Sequence, residues 1–250
     1  MVYTRPIVVS IAGMDPTGGA GLLADVKTCE QHRCLGFGVV SALTVQTEDT
    51  FYRADWLPMA AIIDQAAPLF AQYEVAVVKI GIVENFAVLD SLVRWITEQR
   101  PGIRIVWDPV LTASAGFRFV DRVDPAVLQQ VLQHIYLITP NAPEARQLAG
   151  VDNTQEAARH LASDCRVYLK GGHLAENTGT DYLYEAETVT TFSPGIRRVW
   201  PKHGSGCILS SAIASRLAEG KTLAQACVGA KEYIERILIS NENLLAYHHV

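Results

Sequence analysis

Residues 201 to 220 combine a glycine-rich turn, a cysteine and the start of a helical pattern. The turn is Gly204-Ser205-Gly206, and Cys207 follows it directly. Two glycines around a serine let consecutive backbone N–H groups point the same way, and the positive end of a helix dipole adds to their attraction for an anion. The same field favours the thiolate form of a cysteine in the first helical turn. The stretch therefore predicts an anion hole beside a reactive thiol, although an ordinary helix N-terminus with a buried cysteine has the same pattern.

Three charged residues stand at or shortly after the ends of strongly apolar runs: Asp108, Glu144 and Lys170. Two carboxylates and one ammonium beside an anion hole are suited to magnesium-assisted phosphoryl transfer. Each residue also has a structural interpretation. Asp108 could simply end a strand in a turn. Asn141 and Glu144 have the spacing of a capping box. Lys170 could do no more than form an ion pair with a carboxylate. Their joint occurrence at strand ends favours the functional interpretation, because unpaired charges are costly to bury.

Short apolar runs alternate with helical patterns along the chain, which is typical of a mainly parallel sheet with helices on both faces. The predicted strands are residues 7–12, 37–44, 75–80, 104–107, 136–139 and 167–170. The predicted helices are residues 22–31, 59–72 and 86–98, one beginning at Asp124-Pro125, one capped near Thr154, and a last one opened by a Thr222/Gln225 capping box. Residues 182–184 and 189–192 predict an antiparallel hairpin, with residues 196–200 as a further strand. We expect one α/β domain over residues 1–250.

Ligands of open parallel α/β sheets lie outside the carboxyl ends of the strands, which places the glycine-rich loop after the first strand in the site. This loop is not a P-loop, because Gly19-Ala20 stands where Lys-Ser/Thr is required. It is also not the GxGxxG fingerprint, and no acidic residue for a ribose ends the second strand, where Gln46 stands instead. The sequence thus argues against a Walker-type NTPase and an NAD-dependent dehydrogenase.

Composition narrows the class of protein further. The chain has 250 residues, a formal net charge of −5 and 49% hydrophobic residues, and it shows no basic stripe for nucleic acid. No apolar run reaches the length of a membrane span and no leader pattern opens the chain. The five cysteines form no CxxC pair, which is typical of reduced thiols and argues against structural zinc. We expect a cytoplasmic protein that binds neither nucleic acid nor membrane.

The chain resembles the ribokinase-like superfamily, and more closely the hydroxymethylpyrimidine/phosphomethylpyrimidine kinases of thiamine biosynthesis. Seven stretches carry the resemblance, in the order found in the family. They are residues 11–28 (IAGMDPTGGAGLLADVKT), 42–48 (ALTVQTE), 78–82 (VKIGI), 107–116 (WDPVLTASAG), 138–145 (ITPNAPEA), 168–173 (YLKGGH) and 202–214 (KHGSGCILSSAIA).

The resemblance implies a ribokinase-like three-layer α/β/α fold with a mainly parallel sheet and a small hairpin near residues 181–200. It implies an enzyme that uses ATP and Mg²⁺ to phosphorylate 4-amino-5-hydroxymethyl-2-methylpyrimidine and then its monophosphate, commonly as a homodimer. By similarity Cys207 stands where most of the superfamily has an aspartate base, Gly204, Ser205 and Gly206 form the anion hole, and Lys170 contacts phosphate. The implied metal residues are Asp108 and Glu144, and the implied nucleotide residues are Asn141, Lys170 and Lys231. The implied pyrimidine residues are Gln46, Gly13, Ala20, Asp25 and Ile82.

The chain departs from the family's pattern without losing a catalytic group. Met14 and Thr17 replace serines of the first loop, Ser205 replaces a threonine and Ile82 a methionine. The neighbours of Gln46 differ more, which leaves a pyridoxal or pyridoxine kinase of the same superfamily as an alternative. A catalytically inactive relative that binds only pyrimidine or nucleotide is an alternative of another class. A thiol redox protein is disfavoured because no resolving cysteine is near Cys207 in sequence, and no site residue is predicted between residues 173 and 201.

Overall fold

The computed structural model describes residues 4–113, 116–120, 122–173 and 178–249. Parts of the predicted 1–250 domain, namely residues 1–3, 114–115, 121, 174–177 and 250, lie outside the described residues. The strands of the described chain are β1 (Ile7–Met14), β2 (Leu35–Gln46), β3 (Phe51–Trp56), β4 (Val75–Ile80), β5 (Arg104–Trp107), β6 (Leu137–Ile138), β7 (Arg166–Leu169), β8 (Asp181–Glu185) and β9 (Thr188–Phe192). They form one nine-stranded sheet in the order β3-β2-β1-β4-β5-β6-β7-β8-β9.

The central strands of this sheet are parallel, and the strands at its two sides are antiparallel. Every pairing from β2 through β1, β4, β5 and β6 to β7 is parallel. β3 pairs antiparallel with β2, and β8 and β9 form the hairpin that continues the sheet beyond β7. The apolar β-branched run of β4 is almost wholly buried, as expected for a strand covered on both faces. The predicted mainly parallel sheet with an antiparallel hairpin is confirmed.

Helices cover both faces of the sheet. In the described residues they are α1 (Gly21–Gln31), α2 (Met59–Gln72), α3 (Phe86–Gln99), α4 (Pro125–Leu132), α5 (Ala142–Ala149), α6 (Thr154–Ala162), α7 (Ser205–Ala218) and α8 (Leu223–Leu238). One core cluster joins α2 to α6 with one face of the sheet, and a second joins α1, α7 and α8 with the other. The architecture is therefore α/β/α. None of these helices is both long and apolar enough to cross a bilayer.

Several helix ends follow from local sequence signals. Asp124 accepts hydrogen bonds from the first N–H groups of α4, and Pro125 occupies its first turn. Thr222 and Gln225 form the predicted capping box of α8. Gly220 adopts φ +83° just beyond α7, where a left-handed residue ends a helix. These ends were set by residues within one helical turn.

Two local predictions need correction. β3 was not predicted, because it is an edge strand whose side chains are exposed or half-buried and show no clear alternation. The strand predicted at residues 196–200 is wrong. The N–H of Gly195 donates to the Glu235 carboxylate, and the N–H of Trp200 donates to the carbonyl of Leu238. Helix α8 and its end thus satisfy this backbone in place of a neighbouring strand.

Candidate active site

A cavity of about 580 Å³ opens at the carboxyl ends of the parallel strands, beside the first turn of α7. All but one of the residues predicted for the site line it. They are Gly13, Ala20, Gln46, Ile82, Asp108, Asn141, Glu144, Lys170, Gly204, Ser205, Gly206, Cys207 and Lys231. Parallel strands place their carboxyl ends at one edge of the sheet, which explains why residues so far apart in sequence meet here.

The glycine turn forms the N-terminal end of α7. Gly204 is the N-cap with φ +73°, and a Cβ atom there would lie 2.1 Å from the carbonyl oxygen of Gly19. A side chain at this position would therefore be both strained and blocked. The first N–H groups of a helix have no acceptor within it, so those of Gly206 and Cys207 give this turn the character of an anion site. The N–H of Ser205 donates to the carbonyl oxygen of Lys202 at 3.4 Å.

The thiol of Cys207 lies at the base of this turn and is half-buried. Burial, and to a lesser degree the charges of Asp108 and Asp25, raise the pKa of this thiol to about 11. Lys79 and a hydrogen bond from the Gly21 N–H lower the pKa but do not offset the effect of burial. The predicted preference for thiolate is therefore wrong for the free protein. Desolvation and two carboxylates outweigh the helix field, and the group is a thiol at neutral pH.

Lys170 joins the two carboxylates predicted for the metal. Its Nζ lies 2.8 Å from Oδ1 of Asp108 and 3.6 Å from Oε2 of Glu144. Burial alone would lower the pKa of Lys170, but these carboxylates raise it, so the ammonium stays charged. Burial opposes ionisation of Asp108, but Lys170 and Lys79 hold its pKa below the usual value. Burial raises the pKa of Glu144 to about 7, despite Lys170.

Asn141 and Glu144 do form a capping box at the start of α5. The Glu144 N–H donates to Oδ1 of Asn141 at 2.9 Å, and the Asn141 N–H donates to Oε2 of Glu144 at 2.7 Å. The backbones of Asn141 and Lys170 also form an isolated parallel β-bridge. The structural and functional interpretations are thus compatible, because the cap holds the Glu144 carboxylate beside Lys170.

Asp25 is the predicted residue that does not line the cavity. It is fully buried and accepts two hydrogen bonds from Nζ of Lys79, at 2.8 and 3.0 Å, as well as bonds from the hydroxyls of Ser10 and Ser211. Direct contact with a pyrimidine is therefore unavailable to Asp25. Lys79, which the sequence analysis missed, both binds this carboxylate and lines the cavity. A lysine inside an otherwise apolar strand was the signal for it.

Gln46 is the last residue of β2, which lies on one side of β1 in the sheet. β5, which precedes Asp108, and β6, which precedes Glu144, lie on the other side of β1. Nε2 of Gln46 donates to the hydroxyl of Thr44 at 2.9 Å, which holds the amide in place. A Cβ atom on Gly13 would come 2.5 Å from Cδ1 of Ile82, so these two residues shape the floor together. Two aromatic residues that sequence reasoning missed, Phe51 and Phe119, also line the cavity, with ring centroids 5.2 Å apart.

His203 and Asp15 connect the first loop to the glycine turn. Nε2 of His203 lies 2.9 Å from Oδ2 of Asp15, which also accepts the N–H of Ala20 at 2.8 Å. Burial would raise the pKa of Asp15, but these hydrogen bonds and those from Thr17 lower it. The pair was missed because its members are 188 positions apart. It fixes the two glycine-rich segments relative to each other.

Lys231 reaches the cavity from α8 and is held by acidic and carbonyl groups. Its Nζ lies 2.9 Å from Oδ2 of Asp181 and 3.6 Å from Oε1 of Glu235, and it donates to the carbonyl oxygen of Gly179. Asp181 in turn accepts the N–H of Gly171 at 2.6 Å. Lys231 therefore ties α8 to the turn after β7.

Among the described residues, no group of three or more His, Cys, Asp or Glu side chains is placed to hold a metal ion. The oxygen donors of Asp108 and Glu144 nevertheless fit Mg²⁺. This ion commonly binds through one or two protein carboxylates and completes its coordination with water and phosphate oxygens.

Comparison with known proteins gives a consistent assignment. The family described as phosphomethylpyrimidine kinase matches residues 15–249. A thiamine biosynthesis bifunctional protein, ThiED, of Geobacter sulfurreducens is 37% identical over 243 residues, covering 93% of this chain. The chain spans about half (49%) of the length of that relative.

Solved structures share the fold. The pyridoxal kinase of Staphylococcus aureus in complex with ADP has a TM-score of 0.84 at 23% identity, covering 98% of this chain and 94% of that one, and at this identity it supports the fold alone. The phosphomethylpyrimidine kinase of Clostridium difficile has a TM-score of 0.78 at 28% identity, covering 92% of this chain and 98% of that one. The chain belongs to the phosphomethylpyrimidine kinase family, because the family model matches residues 15–249 and the fold is ribokinase-like.

Proposed function

We propose that this chain is an ATP-dependent, Mg²⁺-assisted kinase that phosphorylates 4-amino-5-hydroxymethyl-2-methylpyrimidine and then its monophosphate, in thiamine biosynthesis. The observation that carries the proposal is the convergence of an anion turn, Lys170, two carboxylates and Cys207 in one cavity. Family membership supports the substrate class.

The geometry supports a direct transfer. The substrate hydroxymethyl oxygen attacks the γ-phosphorus of ATP as the bond from this phosphorus to the ADP oxygen breaks, and the hydroxyl proton passes to Sγ of Cys207 in the small fraction of enzyme that carries it as a thiolate. The N–H groups of the Gly204–Cys207 turn and the ammonium of Lys170 stabilise the charge on the transferring phosphoryl oxygens. Asp108 and Glu144 would hold Mg²⁺, which would neutralise charge on the phosphates.

Gln46 supports an aminopyrimidine in preference to pyridoxal. Beyond its bond to Thr44, its amide offers one acceptor oxygen and one donor hydrogen, which match a ring nitrogen next to an exocyclic amine. Pyridoxal has a phenolic oxygen in place of that amine. The aromatic side chains of Phe51 and Phe119 add flat apolar surface near Gln46 in the same cavity.

A phosphorylation assay offering hydroxymethylpyrimidine, its monophosphate and pyridoxal side by side, with ATP and Mg²⁺, tests the proposal. We expect transfer to both pyrimidines, little to pyridoxal, and loss of transfer in Lys170→Ala. Faster transfer to pyridoxal would establish the alternative substrate, and absence of transfer to all three would favour a binding protein without activity.

The family resemblance also supports one cytoplasmic domain that acts as a homodimer. Light scattering on the purified protein measures the mass directly, and we expect twice the chain mass. A single cooperative unfolding transition is expected of one domain, whereas two separate transitions would contradict it.

A further inference from the structure

Lys202 is a buried lysine two residues before Gly204. It is 6% exposed. Its Nζ donates to the backbone carbonyl oxygens of Asn241 and Asn243, and to Oδ1 of Asn241 at 3.0 Å. Within the described part of the chain, no carboxylate forms an ion pair with it.

This environment is unusual for a lysine. An ammonium has three N–H donors, and here each has a neutral oxygen as its acceptor. Burying a charge without a counter-ion is costly, so buried lysines are normally paired. A shell of neutral carbonyl oxygens is instead the environment in which proteins hold a dehydrated monovalent cation. The oxygens around Lys202 thus act as a cation site filled by a side chain.

The oxygens belong to residues 241–245, the segment that follows α8. Lys202 thereby connects this segment to the glycine turn. Oδ1 of Asn241 also accepts the N–H of Asn243 at 2.8 Å, and Nδ2 of Asn241 donates to the carbonyl of Leu245 at 3.0 Å. The N–H of His203 donates to the carbonyl of Leu244 at 2.9 Å. The segment therefore folds around the Lys202 ammonium and packs against the start of the anion hole.

Among the residues that the structure describes, no carboxylate pairs with Lys202 and cancels its charge. Burial lowers the pKa of Lys202, and its carbonyl partners carry no net charge. A positive charge just before the turn adds to the field of the α7 N-terminus, which is where the phosphoryl group is expected.

We propose that Lys202 is a built-in monovalent cation, which orders residues 241–245 against the glycine turn and adds fixed positive charge to the anion hole. The enzyme then needs no dissolved K⁺ or NH₄⁺ at this position. The catalytic part of this inference rests on the proposed kinase function, whereas the structural part does not.

The experiment compares wild type, Lys202→Ala, Lys202→Met and the control Lys221→Ala, which removes an exposed lysine beyond α7. Each protein is measured in choline, potassium and ammonium chloride at equal ionic strength. The two readouts are the phosphorylation rate and the melting temperature. The melting temperature reports on the cation site even if the kinase assay itself fails.

We expect wild type and the control each to have the same phosphorylation rate and the same melting temperature in all three salts. Lys202→Ala should lose about 10-fold or more of the rate in choline, since preorganised charges at a phosphoryl site contribute at least this much. Potassium or ammonium should restore part of its rate and raise its melting temperature, because the shortened side chain leaves the oxygens free. Lys202→Met should show the loss without the rescue, because the methionine fills the space.

Three results would overturn the inference. One is a wild-type enzyme that requires potassium or ammonium. Another is a Lys202→Ala variant with the wild-type rate and melting temperature in choline. The third is a Lys202→Ala variant that no salt repairs in either readout, including one that stays unfolded in all three salts.

Discussion

The assignment of Cys207 as the proton acceptor makes a quantitative prediction about pH. Its pKa is raised to about 11, so at about pH 7 only about one thiol in 10⁴ is ionised. If the thiolate accepts the substrate proton, kcat/KM for the pyrimidine should rise about 10-fold per pH unit from neutral toward pH 9. The wild-type profile should therefore climb with a slope near one on logarithmic axes.

Cys207→Ala should remove both the rate and the slope. Loss of a general base typically lowers the rate about 10²–10⁴-fold. Above the Glu144 pKa of about 7, the remaining rate should be nearly flat, because the anion turn and Lys170 do not titrate there. The assay is coupled ADP release at saturating ATP, with circular dichroism to confirm that the variant is folded.

Cys165→Ala is the matched control, because Cys165 is also a free thiol but does not line the cavity. It should retain the wild-type rate and slope. A Cys207→Ala enzyme with near-normal turnover would refute the reasoning and leave the cysteine as a packing residue. A wild-type profile that is flat from neutral to pH 9 would refute the thiolate step even if the variant is slow.

Four further predictions concern the groups around Cys207. Lys170→Ala should lower turnover while pyrimidine affinity, measured alone by calorimetry, changes little, and a collapse of that affinity would contradict its placement at phosphate. Gln46→Leu should raise the pyrimidine's dissociation constant about 10-fold or more, since an unsatisfied polar group costs about 1–3 kcal/mol, and unchanged affinity would remove Gln46 as the ring's reader. Burial raises the pKa of Glu144 from 4.5 to about 7, so wild type loses stability as pH rises through this window. Glu144→Gln should flatten that part of the unfolding free energy measured by denaturant titration, and an unchanged slope would show that another group titrates. Lys79→Met should destabilise the fold by about 3–5 kcal/mol because it leaves Asp25 buried and unpaired, and the Asp25→Leu/Lys79→Met double variant should recover part of this loss in the same titration, which a purely steric effect would not allow.

Local sequence signals determined much of the fold and the location of the site. The apolar run of β4, the Asp124-Pro125 start of α4 and the glycine that ends α7 each depend on residues within one or two turns. The glycine turn before Cys207 is equally local. Because parallel strands end at one edge of a sheet, these local predictions were sufficient to bring Asp108, Lys170 and the turn into one cavity.

Only the tertiary structure decided what the charged groups do. Lys79 and Asp25 are 54 positions apart and pair in the core, which removes Asp25 from the cavity surface. The pKa of Cys207 depends on burial and on charges contributed by residues distant in sequence, so its sequence neighbourhood predicted the wrong protonation state. Lys202 shows no local signal at all, because its oxygen partners lie 39 and 41 positions further on. Secondary structure follows from neighbours in the chain, whereas ionisation and charge pairing follow from neighbours in space.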